Sequence, residues 1–88
     1  MAFKGMDIEA VRGMATQMDT AASEIESLTS KLTGVLNGTQ WEGPDATNFR
    51  SEWDGEHCTN LRQLQQRLRD VATEARRNAD QQETTSGG

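Results

Sequence analysis

Apolar side chains recur through the first half of the chain at Val11, Met14, Met18, Ala21, Ile25, Leu28, Leu32 and Val35, with gaps of three and four in strict alternation. On a helix of ~3.6 residues per turn that rhythm keeps one stripe to one side, a heptad seam that Ile8 and Ala22 widen. Asp7 offers an N-cap side chain, and Glu9 puts negative charge in the first turn, where the helix dipole favours it. Gly13 and Gly34 each weaken the helix by roughly 1 kcal/mol relative to alanine. Asn37-Gly38 supplies a stop, since both residues tolerate the left-handed conformation of a C-cap. The pattern predicts a flexible leader over 1–6, helix one over about 7–36 and a turn over 37–43.

Pro44, the single proline, suits the first position of a second helix, where its missing N–H is no loss. Asp45 follows with negative charge in the first turn. Apolar or semi-apolar positions then run Ala46, Phe49, Trp53, His57, Leu61, Leu64, Leu68, Val71 and Ala75. The consecutive gaps of four from Phe49 to Leu61 are a stutter, which predicts local unwinding around residues 53–61. Helix two is expected over about 44–79, and residues 80–88 read as a disordered tail. No strand-like alternation appears. The fold class is all-α: an antiparallel helical hairpin.

A single hairpin half-covers each seam and leaves a wide apolar stripe in water, which soluble monomers avoid. The expected remedy is dimerisation into a four-helix bundle. The seam residues assigned to hairpin and dimer packing are Val11, Met14, Met18, Ile25, Leu28, Leu32, Phe49, Trp53, Leu61, Leu64, Leu68 and Val71. Met14 and Met18 fill gaps there, as flexible thioethers do.

Composition narrows the function. The chain is 88 residues long with a net charge of −5, so it is not expected to seek nucleic acid unaided. Arginines in the second half are interspersed with acids, an ordinary solvated helix surface. No apolar run approaches the ~20 residues of a membrane span, and the acidic face disfavours insertion into bilayers. The start lacks the basic, apolar and small-residue order of a cleavable secretory signal. Cys58 is the only cysteine, so no intramolecular disulfide forms. One histidine and one cysteine supply no catalytic set, and no enzymatic activity is expected. Asp54, His57 and Cys58 share one side of helix two, but a structural zinc site wants four good ligands and only His57 and Cys58 are typical ones. His57 is read as a seam residue interrupting the apolar stripe, and no metal or cofactor is expected.

The turn carries the most specific signal. Trp41-Glu42-Gly43, followed by Ala46, Phe49 and Trp53, resembles the signature of the WXG family of small early-secreted-antigen-like proteins. The opening Phe3-x-Gly5-Met6-Asp7 is also similar to many actinobacterial members. The resemblance implies a hairpin that pairs with itself or with a WXG paralogue. It further implies export of the folded dimer, without a cleavable signal peptide, by a type VII (ESX-like) secretion system, so that the protein is cytoplasmic before export and extracellular after it. An FtsK/SpoIIIE-type ATPase drives that export, and Trp41 and Gly43 carry over as part of the secretion motif. The family's tail motif, Tyr-x-x-x-Asp/Glu, does not carry over, because the chain has no tyrosine. Either the tail signal sits on a partner chain, or another determinant around Arg76–Gln82, with Arg76 and Asp80 as candidates, takes its place. The rival reading is a cell-retained helical adaptor or chaperone for a toxin or paralogous bundle partner.

Overall fold

Helix α1 (Ile8–Gly38) begins where the Asp7 carboxylate accepts a hydrogen bond from the Ala10 amide at 3.0 Å. That bond satisfies one of the amides every helix leaves unpaired at its start. The computed structural model describes residues 6–87, so the expected leader lies outside the described residues except for Met6. At its far end α1 runs through Asn37 and Gly38 without a left-handed residue. It stops at Thr39, whose backbone is extended and whose hydroxyl donates to the Val35 carbonyl at 2.7 Å. The glycine stop expected at Asn37-Gly38 is thus replaced by a threonine one residue later.

Among the described residues only Gly43 has a positive φ, 116°. Any side chain there would be strained, so the turn needs glycine at this position. Pro44 then opens α2 (Pro44–Glu52) at its first position. The stutter is answered by a π-turn at Trp53–His57, where the Cys58 amide donates to the Trp53 carbonyl. Widening the helix for one turn absorbs the extra residue that successive gaps of four introduce. Helix α3 (Cys58–Gly87) follows without a break.

α3 returns antiparallel along α1, and the cross-helix partners define the register. Arg12 reaches Asp80 at 2.8 Å and Glu83 at 3.1 Å, Arg76 reaches Asp19 at 2.8 Å, and Trp53 reaches Thr33 at 2.9 Å. The result is a rod of 65 × 18 × 15 Å whose radius of gyration is 19.3 Å, against ~12 Å for a compact domain of this length. No described helix is long and apolar enough to cross a membrane.

The tail departs from expectation. Residues 80–87 continue α3 as helix rather than as a disordered segment. Ala79 and Gln82 remain buried, and Arg12 holds the Asp80 and Glu83 carboxylates across the open end of the hairpin. Hydrogen bonds to Glu83 and then Asp80 fix the Arg12 guanidinium more firmly in its charged form. Helix propensity alone would not hold a Thr-Thr-Ser-Gly end, and tertiary contacts in the preceding turn supply the rest.

The contact line between the helices is built from small residues. Ala15, Ala22, Ala72, Ala75 and Ala79 are buried, and Val11 and Met18 pack against the cluster of Ala15, Ala72 and Ala75. No large side chain is fully buried among the described residues. Alanines let the helices approach closely but remove little apolar area from water, so the hairpin's own core is thin.

Candidate functional site

The turn that joins the two arms is organised by Arg50. A helix leaves its last carbonyls without partners and carries partial negative charge there. α1 has no basic residue in its last turn to meet them. Arg50, in the last turn of α2, reaches back instead. Its Nε and Nη2 donate to the Leu36 carbonyl at 3.1 and 2.9 Å, Nη2 also donates to Thr39 at 3.0 Å, and Nη1 donates to Trp41 at 2.6 Å. The same guanidinium lies 5.6 Å from the centroid of the Trp41 ring, within cation–π range. One side chain therefore closes the end of α1, shapes the turn and steadies the indole.

Sequence reasoning missed Arg50. The available signal was that it is the only lysine or arginine between Lys31 and Arg62, facing a helix end without a basic residue. Bonds from a charged donor contribute ~1.5–3 kcal/mol. Arg50→Ala is accordingly expected to lower unfolding free energy by about 2–3 kcal/mol, read as a fall in the urea midpoint at unchanged slope. Arg50→Lys should recover only part of it, because an ammonium donates from one point, whereas the guanidinium makes its four bonds from three spaced nitrogens. An unchanged midpoint would mean that water satisfies these carbonyls equally well.

The two tryptophans play opposite parts. Trp53 is buried, 9% exposed, and its indole N–H donates to the Thr33 hydroxyl at 2.9 Å. Trp41 is 40% exposed beside Gly43. Phe49 stands between them, with ring centroids 6.5 Å from Trp41 and 6.4 Å from Trp53. His57 continues the row, 6.3 Å from both Phe49 and Trp53. Offset rings at such distances are a favoured packing. An aromatic ladder thus runs from the exposed indole into the hairpin.

The expected seam residues divide by position. Val11, Met18, Ile25, Phe49, Leu61, Leu68 and Val71 are half-buried beside the alanine line, whereas Met14, Leu28, Leu32 and Leu64 are exposed, as is Val35. Leu28 is 65% exposed and Leu64 46%. The exposed set is ordered. Met14, Ala21, Leu28 and Val35 each precede by one residue a position on the line Ala15, Ala22, Thr29, Leu36. On α3, Leu64 and Val71 likewise precede the buried Gln65 and Ala72. Because the helices are antiparallel, an offset of one residue turns to the same side on both. These apolar groups therefore share one face of the hairpin.

Of the tail candidates, Arg76 is engaged with Asp19 and Asp80 with Arg12. Cys58 is buried and lies with Asp54, Thr33 and Arg62 on a cleft of about 630 Å³ between α1 and the second arm. The triad of Asp54, His57 and Cys58 is not gathered at one point. The π-turn instead brings the ligand atoms of His57, Glu52 and Glu56 within 4.8 Å of one another.

Comparison with known sequences places these features in a family. The family model WXG100, described as proteins of 100 residues with WXG, matches residues 5–85. No match was found among curated proteins or among solved structures.

Proposed function

The chain belongs to the WXG100 family, whose members are small helical substrates of type VII secretion, and from that premise we propose that it is exported folded as a helical pair. It engages an FtsK/SpoIIIE-type ATPase through the Trp41–Gly43 turn together with its C-terminal arm. Members of the family commonly pair with WXG paralogues, and this chain pairs with itself or with such a paralogue to form a four-helix bundle. The pairing surface is the apolar face carrying Met14, Leu28, Val35, Leu64 and Val71.

One observation carries the proposal: the turn is tied down by four Arg50 hydrogen bonds and yet leaves its indole 40% exposed. A tryptophan needed only for packing would be covered, as Trp53 is. A large, rigid, half-exposed aromatic on a fixed backbone is the kind of anchor that dominates protein–protein recognition. Gly43 belongs to the same device, because its positive φ sets the direction in which the chain leaves the indole.

Export assays test this directly. Trp41→Ala is expected to remain helical and paired in the cell while its extracellular fraction falls about tenfold, the loss of ~1.4 kcal/mol of recognition. Deleting the export ATPase should remove wild-type protein from the medium altogether. Undiminished extracellular protein in the ATPase deletion would instead mean another export route, and absence of the wild-type protein from the medium would support the retained adaptor.

A further inference from the structure

We propose that Glu52, Glu56 and His57 form a binding site for a divalent first-row transition ion of the Zn²⁺ class. The π-turn makes this site. In a regular α-helix the fifth residue along lies about 140° round the cylinder, so residues 52 and 57 would point apart. The widened turn at Trp53–His57 brings i and i+5 towards one side instead. One imidazole nitrogen and two carboxylate oxygens then stand within 4.8 Å of one another. Donors bound at ~2.0–2.2 Å to one ion lie at most ~4.4 Å apart, so small rotations of the two exposed glutamates would close the three onto a single ion.

Charge and packing both favour occupancy. Glu52 and Glu56 are like charges four apart on a helix, an arrangement that destabilises it. Neither forms an ion pair with a described residue. Arg50, the nearest base in sequence, spends its N–H groups on the turn carbonyls. A divalent cation would turn the repulsion into attraction. His57 is half-buried against the rings of Phe49 and Trp53, which limits its rotamers before any ion arrives. The mixed nitrogen and oxygen set suits Zn²⁺ or its neighbours rather than Mg²⁺ or Ca²⁺, which take oxygen alone. Three protein ligands leave at least one position for water or a further donor. Bound there, the ion would clamp the π-turn directly beneath the aromatic ladder that ends at Trp41.

The test uses the full chain without an affinity tag, titrated with Zn²⁺ by calorimetry in excess Mg²⁺. His57 is the only histidine, so its imidazole C–H resonances report the site without ambiguity. One Zn²⁺ per chain, displaced His57 resonances and an unchanged helical spectrum are expected. Affinity should fall roughly tenfold or more in His57→Gln and in the double variant Glu52→Gln/Glu56→Gln. Cys58→Ser should bind as wild type does. The proposal is overturned if the His57 resonances stay in place at saturating Zn²⁺, or if the glutamine double variant binds undiminished. Loss of binding in Cys58→Ser would also overturn it, by moving the ion to the neighbouring cleft.

Discussion

If the hairpin pairs as proposed, Leu28→Asp is expected to shift the protein to monomer and to lower its helicity, with Leu64→Asp doing the same from the other arm. Both side chains are largely exposed in the single hairpin, 65% and 46%. An aspartate at either place therefore costs an isolated hairpin only the few tenths of a kcal/mol of helix propensity. In an assembled bundle the same change removes ~2 kcal/mol of leucine burial. It also asks a carboxylate to lose its water. The dissociation constant should rise at least about a hundredfold, the equivalent of ~3 kcal/mol. In a symmetric pair each substitution enters twice. The hairpin left behind rests on an alanine line with no fully buried large side chain among the described residues, so helicity falls with the mass. Light scattering after size exclusion, read beside circular dichroism, separates the two outcomes. If wild type and Leu28→Asp elute as identical monomers with equal melting temperatures, the exposed face is not an association surface.

How far the fold could be read in advance follows from which signals are local. Asp7 as an N-cap, Pro44 as a first helical residue and the stutter after Phe49 each announce a backbone event within one or two turns, and each appears where the spacing put it. Tertiary choices were harder. The apolar rhythm includes Ala22, Ala46 and Ala75 but passes over Ala15, Ala72 and Ala79, which are buried as fully as any. Hydrophobicity scales rate alanine low, and its value here is that it takes up no room. The tail differs from the expected disorder for a related reason. Residues 80–87 are poor helix material by composition, and what holds them is a contact with Arg12 about seventy residues away. Arg50 escaped notice because a long flexible side chain can reach several elements, and only coordinates say which. The grouping of Glu52 with His57 depends on a π-turn, so a reading with ordinary helical geometry could not gather them.

Trp53→Ala is expected to be the most damaging single substitution, and its contrast with Trp41→Ala is the informative part. Removing a buried tryptophan costs ~3–5 kcal/mol in transfer and cavity terms. At ~0.05–0.15 kcal/mol per residue, that is a large share of the stability a chain of this length can have. The loss reaches beyond the cavity. The Trp53 N–H donates to the Thr33 hydroxyl, which in turn donates to the Thr29 carbonyl, so one ring ties the π-turn to α1. Phe49 and His57 also each lose a ring that they pack against. Trp53→Phe should recover most of the packing and leave a deficit of about 1 kcal/mol for the missing hydrogen bond. Trp41→Ala, by comparison, gives up a partly exposed ring, its Arg50 contact and its Phe49 contact. Those are worth about 1–1.5 kcal/mol together, and the helical spectrum should persist. In a domain of this size 1 kcal/mol moves the melting temperature by ~4–8 °C, so thermal unfolding distinguishes the two variants easily. Should Trp41→Ala prove as unstable as Trp53→Ala, the exposed indole would be a structural plug, and its loss from the medium would report unfolding rather than recognition. Only a Trp41→Ala protein that stays folded and stays inside the cell separates the two roles that the tryptophans are assigned here.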